Sequence, residues 1–413
     1  MAGSHRSIKF AFAAVMTLTA TAAAVFPCTL AVISGKATPD GRPLLWKNRD
    51  TSSFKNKMLA FSGDRFKGVA LIDAEDTEGK EIWAGLNAAG LALMNSQADD
   101  LGAPGKDGAD NGRFMRMALG RCASIAEFEA LLQSTSGTYD LTANFGVIDA
   151  EGGACFFETG PASYRKFDAR DPAVAPFGYI VRTNYAFTSP DPLQGGGFIR
   201  FERASHLFQT ARGENRLTVK FILQDAARDL VHEKLHSFPM AAALPADAAA
   251  PLYIHTNDTI NRNSSVAVAV FHGAPSRDKA YLATMWVVLG QPVTAVAVPF
   301  WPDAGSVPAA CGGPATAPLN DFSRTLVAYL YPDIRGRMPQ YLNLTRLRTY
   351  GGEGVLPKLL RIEDAVLEKT GRKLREWEAR RPVDREVVAF QDEQSEWVFE
   401  SLKAAFPDLA AKK

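Results

Sequence analysis

Cys28-Thr-Leu-Ala-Val-Ile33, then Pro39-Asp40-Gly41, then Leu44-Leu-Trp-Lys-Asn-Arg-Asp50 is the stretch on which the reading of this chain turns. Two apolar runs rich in β-branched and aromatic residues, separated by turn chemistry, predict a β-hairpin. β-Branched side chains suit a pleated surface, and Pro, Asp and Gly suit the reversal. Side chains alternate along a strand, so Lys47 and Arg49 share one face and Asn48 and Asp50 the other. The second strand runs back beside Cys28. A thiol is thereby brought close to two cations, either of which could favour its thiolate, and to a carboxylate. Read by itself, such a strand end is an ordinary polar surface feature.

What lies upstream gives Cys28 its interest. Met1 to Lys9 carries Arg6 and Lys9 without an acid, and Phe10 to Phe26 is uncharged and ends in Ala22-Ala-Ala-Val-Phe26. This predicts a secretory signal peptide over residues 1–27 and an exported protein, periplasmic or extracellular, with no stable membrane insertion after its removal. A transmembrane anchor fits less well, because the run is of minimal length and contains Thr17, Thr19 and Thr21. Cleavage just before Cys28 would put a nucleophilic thiol and a basic α-amine on one residue. Signal peptidase prefers small residues, so Ala22 to Ala24 suit cleavage before Val25 better. Val25-Phe26-Pro27 would then have to be removed, for instance by the Cys28 thiol attacking the preceding carbonyl. Lipid acylation of Cys28 is disfavoured by the absence of a small residue just before it.

The 413 residues carry 46 Lys and Arg against 45 Asp and Glu, a formal charge of +1. That near-balance offers no field for a polyanion, which argues against nucleic acid as a partner. Hydrophobic residues at 46% and charged residues at 22% are the balance of a globular chain with a sizeable core. Cys28, Cys122, Cys155 and Cys311 are too few and scattered for a disulfide framework, and no pair has zinc-site spacing. Strands are expected at 68–72, 82–86, 91–94, 145–148, 155–158, 164–167 and 179–182, with two helices within 113–133 around the capping box of Ser124 and Glu127. Helices follow at 199–211 and 217–235, strands at 265–271, 281–289 and 294–298, and helices again at 319–331 and 355–402. Strands and helices segregated in this way indicate an α+β fold.

A wider pattern surrounds the hairpin. Cys28-Thr29 with Lys47-Asn48-Arg49-Asp50 is followed in order by Gly85-Leu86-Asn87-Ala-Ala-Gly90-Leu91 with Asn95, and by Asn144-Phe145-Gly146-Val-Ile-Asp149. Arg182-Thr183-Asn184, Arg200-Phe201-Glu202-Arg203 and Thr284-Met285-Trp286-Val-Val-Leu-Gly290 complete it. This order resembles the amino-terminal-nucleophile (Ntn) hydrolases, and within them the acyl-coenzyme A:6-aminopenicillanic acid acyltransferase and carcinine hydrolase-like group, related to choloylglycine hydrolases and penicillin V acylases. The resemblance runs from Cys28 to Pro299, about two-thirds of the chain.

Residues 306–413, rich first in Gly, Ala and Pro and then in helix formers, read as a linker and helical C-terminal extension, and the resemblance implies a four-layer αββα catalytic domain over residues 28–305. It implies a small-molecule amide as substrate and no cofactor or metal. Cys28 becomes nucleophile and base, Asp50 the carboxylate near the amine, and Asn184 the amide that donates to the tetrahedral oxyanion. Asn95 stands as a second oxyanion contributor and Arg200 as the arginine of the site. Lys47 stands where choloylglycine hydrolases have arginine and offers a point charge without the planar fork.

Other constellations compete. His232-Glu233-Lys234-Leu235-His236 matches H-E-x-x-H on an expected helix, where His232 and His236 could bind zinc and Glu233 act as base. Pro239 and the lack of a third ligand downstream oppose a zinc peptidase. Gly195-Gly-Gly197 reads as a flexible loop and Asn257 to Asn263 as a structural turn. The expected activity is hydrolysis of a linear amide, with acyl transfer at the same site or a non-catalytic binding protein on the same scaffold as alternatives.

Overall fold

The hairpin forms as expected: β1 (Thr29–Ile33) pairs antiparallel with β2 (Leu44–Asp50), with Thr29 opposite Asn48 and Leu30 opposite Lys47. The computed structural model describes residues 28–102, 108–235, 244, 250–332 and 340–411, so the signal-peptide reading of residues 1–27 lies outside the described residues. After the hairpin, β3 (Asn56–Ser62), β4 (Lys67–Asp73), β5 (Ala84–Asn87), β6 (Ala92–Gln97), β7 (Ala143–Ile148), β8 (Ala154–Thr159) and β9 (Tyr164–Asp168) form a seven-stranded meander among the described residues. The β5–β6 turn closes as its sequence predicts. The Asn87 carboxamide oxygen accepts from the backbone of Ala89 and Leu91, and Gly90 takes a φ of 83° that disfavours a side chain.

Two helices between β6 and β7, α1 (Asn111–Arg121) and α2 (Ile125–Ser134), cover the outer face of this sheet. Ser124 caps α2 by accepting from Glu127 N, and the Glu127 carboxylate accepts from Ala123 N. Phe114 and Phe128 pack on Phe145 and Phe157 of β7 and β8, with ring centroids 5.1–6.0 Å apart.

The chain then returns to the first sheet. β10 (Tyr179–Arg182) adds to the free edge of β1, and α3 (Phe198–Gly213), α4 (Val219–Phe221) and β11 (Tyr253–His255) follow. With β12 (Ser265–His272), β13 (Thr284–Leu289) and β14 (Ala297–Phe300), the order is β10-β1-β2-β12-β13-β14. The two sheets pack face to face around Gly146, where a Cβ would lie 2.6 Å from Met94 Cε and 3.1 Å from Leu45 Cδ1. The other face of the first sheet takes α3, where Trp46 stacks on Phe208 at 5.5 Å.

The remaining elements are α5 (Pro318–Leu330), β15 (Tyr341–Asn343), α6 (Leu344–Leu347), α7 (Val355–Ala379), α8 (Asp384–Ala405) and α9 (Pro407–Ala410). They join the layer outside the first sheet, and Leu319, Leu359, Val366 and Val398 belong to the same buried cluster as Val268 and Val287. The order helix, sheet, sheet, helix is the αββα sandwich. No described helix is long and apolar enough to cross a membrane.

Three expected elements are corrected, one being the strand over 294–298, which begins only at Ala297 after a 3₁₀ turn at Pro292–Thr294. The helix over 217–235 shrinks to α4 and a π-helical turn at Ile222–Ala226. Beyond it, Arg228 is drawn into a paired contact with Glu363 of α7 and Asp229 into one with Arg203 of α3, and these tertiary ion pairs displace helical continuation. The strand over 281–289 begins only at Thr284, after a 3₁₀ segment at Arg277–Leu282. Strands β3, β11 and β15 carry too little alternation to be read in advance.

Candidate active site

The six expected site residues converge at the end of the hairpin where Cys28 enters the first sheet. Cys28 is buried, as are Lys47, Asp50, Asn95, Asn184 and Arg200. Lys47 reaches the β5–β6 end of the second sheet, where Nζ donates to Asn95 Oδ1 and to the Trp83 carbonyl, both at 2.9 Å. Both partners are neutral. Burial pushes the Lys47 ammonium down to about 8, opposed by the neighbouring Cys28 thiol. Arg49 adds to that downward push by its charge, but its side chain is engaged elsewhere. It forms an ion pair with Asp73 at 3.0 Å, donates to Asn56 Oδ1 and lies 5.2 Å over the Trp83 ring. Of the two cations in the strand, Lys47 is therefore the one beside the thiol.

Arg200 enters from the first turn of α3. Its Nη1 donates to the Cys28 carbonyl at 2.5 Å and to Thr29 Oγ1 at 2.8 Å, and its Nη2 to Asn184 Oδ1 at 3.1 Å. A guanidinium can only donate, so this bond fixes which end of the Asn184 amide faces it. Asn184 Nδ2 consequently points the other way, with one hydrogen on the Gln97 carbonyl at 2.8 Å and the second without a partner among the described residues. The same logic holds at Asn95, whose oxygen must face Lys47. Burial lowers the Arg200 guanidinium to about 10, and Asp50 opposes the shift, so the cation persists at neutral pH.

The glycine run holds this geometry. Gly196 pairs with Asn184 in a two-way backbone bridge of 3.1 and 3.0 Å. A Cβ on Gly195 would fall 2.4 Å from Tyr185 Cβ, and Gly197 has a φ of 89° with only 2.3 Å between a would-be Cβ and Arg200 Nη2. The expected flexible loop is a tight strap that brings α3 onto Asn184, and only glycine lets its backbone come this close. Asn144 and Ser96 of the second sheet both donate to the Thr183 carbonyl, at 3.2 and 2.5 Å, which pins the segment from the other side.

Asp50 is fully enclosed. Its Oδ1 accepts from Ser265 Oγ at 2.6 Å, while Oδ2 has no hydrogen-bond partner among the described residues and lies 3.8 Å from Arg262 Nε. Burial raises its carboxyl pKa, and the charges of Arg262 and Arg200 with the Ser265 bond oppose that rise. Ser265 and Arg262 were not among the expected site residues. The cluster of Asn, Asp, Arg and Ser just before β12 was their one signal, and it reads equally as a turn.

The zinc alternative loses its frame. His232 and Glu233 lie beyond the last helical turn, His236 lies outside the described residues, and Glu233 is engaged by Arg203 and His206. His232 Nδ1 accepts from the backbone of Lys234 and Leu235.

Among solved structures the chain is similar to an N-acylethanolamine-hydrolyzing acid amidase ortholog from Caenorhabditis elegans, at 15% identity over 61% of this chain and 96% of that one, with a TM-score of 0.39. It is similar to a penicillin V acylase from Agrobacterium tumefaciens, at 14% over 66% and 86%, with a TM-score of 0.38. A mutant conjugated bile acid hydrolase from Clostridium perfringens gives 10% over 67% and 92%, with a TM-score of 0.39. No protein with a curated description matches the chain. The family of acyl-coenzyme A:6-aminopenicillanic acid acyl-transferases, in contrast, matches residues 37–263, more than half of the chain. With that match, the chain belongs to the acyl-coenzyme A:6-aminopenicillanic acid acyl-transferase family.

Proposed function

We propose that this protein is an exported cysteine Ntn hydrolase that cleaves a linear amide bond of a small molecule through an acyl-enzyme on Cys28, within a catalytic unit of residues 28–305 extended by residues 306–413. The observation that carries this reading is the convergence on Cys28 of Arg200, Lys47 and an Asn184 amide whose direction is fixed by Arg200. In the proposed mechanism removal of residues 1–27 frees the α-amine. The thiol gives its proton to that amine and its sulfur attacks the amide carbon. The carbonyl oxygen becomes an oxyanion that accepts from Asn184 Nδ2, with Asn95 in support. The α-ammonium returns the proton to the leaving nitrogen, the C–N bond breaks and a thioester remains. Water, deprotonated by the same amine, then releases the acid and restores Cys28. If an amine replaces water in the second half, the site is an acyltransferase, the reaction for which the matching family is named.

The test is intact mass and amino-terminal sequencing of the exported protein, followed by assay of N-acyl amides with wild type and Cys28→Ala. A chain beginning at Cys28, active as wild type and inactive as Cys28→Ala, is the expected result. A blocked or Val25 terminus, or turnover that survives Cys28→Ala, overturns the reading.

A further inference from the structure

Asp50 is a carboxylate buried among the cations that converge here, and its two oxygens have unequal surroundings. Ser265 Oγ donates to Oδ1 at 2.6 Å, and that hydroxyl is itself oriented because it accepts from Arg262 N at 3.1 Å. The backbone answers in return, with Ser265 N donating to the Arg262 carbonyl at 3.0 Å, which also accepts from Gln291 Nε2 at 2.7 Å. Arg262 and Ser265 therefore form one closed unit at the start of β12. The Arg262 side chain lies 3.8 Å from Asp50 Oδ2, and neither Nε nor Oδ2 has a hydrogen-bond partner among the described residues. Its Nη2 is tethered to Asn257 Oδ1 at 3.4 Å. The guanidinium is near enough to favour the carboxylate by its charge and too far to occupy the lone pairs of Oδ2. A bonded arginine would take one of the two acceptor sites of that oxygen, and no arginine would leave a buried acid with a single hydrogen bond, which favours its neutral form.

We propose that Arg262, acting with Ser265, is a positioning residue that keeps Asp50 ionised and its Oδ2 open for the α-amine of Cys28. The inference rests on the reading of Cys28 as amino-terminal nucleophile. The other charges that act on Asp50 are Arg200 from α3 and, from the opposite face of β2, Lys47, with Asp258 of the Arg262 loop near Arg200. Arg200 is committed to Cys28, Thr29 and Asn184, and Lys47 to Asn95 and Trp83, which leaves Arg262 as the cation within ion-pair distance of Asp50 among the described residues.

The experiment compares wild type, Arg262→Gln, Arg262→Lys and Ser265→Ala in full-length exported protein, by pH profile of kcat/KM on an N-acyl amide and by intact mass. Arg262→Gln is expected to move the acid limb upward by about one pH unit, a roughly tenfold loss on that limb and little on the plateau. Arg262→Lys is expected to restore most of it, and Ser265→Ala to shift the limb the same way by less. Arg262→Lys and Ser265→Ala keep the inference open to failure if Arg262→Gln does not fold. An active wild type whose variants keep the acid limb unchanged overturns this inference alone. A wild type that begins at Cys28 and cleaves no amide overturns the proposed function, and this inference with it.

Discussion

Lys47 is a buried ammonium whose hydrogen bonds all go to neutral acceptors, and this makes it a titratable part of the site. Burial places its pKa at about 8, well below the ordinary lysine value, so the charge beside the Cys28 thiol is present at neutral pH and lost as pH rises through that value. We expect kcat/KM to fall on an alkaline limb near pH 8. Lys47→Arg, which stays charged throughout that range, should move the limb upward by more than about one unit. A limb that stays in place in Lys47→Arg would assign it to another group. A guanidinium has a larger, planar head, so this variant also tests whether the space between β2 and the β5–β6 end was shaped for lysine.

At the level of elements, the clamp between α7 and the first sheet is a buried ion pair with its hydrogen bonds made. Arg228 donates to both oxygens of Glu363 at 2.7 and 2.8 Å and to the carbonyls of Leu223, Pro292 and Ala295. Glu363 also accepts from Ala297 N of β14 at 2.9 Å. Removing one charge from such a pair leaves the other buried and uncompensated, so Glu363→Gln is expected to destabilise the fold by about 3–5 kcal/mol. The check is the midpoint and slope of guanidinium unfolding. The same pair explains why the sequence misleads over 217–235: local helical periodicity is real there, but the long-range pair ends the helix.

For the molecule as a whole, the C-terminal helices close the outer layer. Trp301 packs on Trp377 of α7 and Phe390 of α8 at 5.1 and 5.9 Å, and Gln391 of α8 accepts from Trp301 N. Truncation after Gly351 should uncover the apolar face of β13 and β14 and produce a protein that precipitates or binds a hydrophobic dye. A soluble truncated protein with full activity would show instead that the catalytic unit folds without them.

What the sequence by itself determined is local or ordered along the chain. The β1–β2 hairpin, the Asn87–Gly90 turn, the capped α2 and the α+β class all follow from alternation, turn residues and capping chemistry between near neighbours. The order of the motifs around Cys28, Asn95, Asn184 and Arg200 was legible as a resemblance, and the structure brings those residues together. Only the tertiary structure decided which cation sits by the thiol, because Asp73 and Asn56, which engage Arg49, come from strands whose register no local signal fixes. It alone decided that Gly195 to Gly197 is a strap and that Arg262 and Ser265 attend Asp50. The Asp50 contacts join residues more than two hundred positions apart, and their partners are set by sheet packing, which no local pattern records.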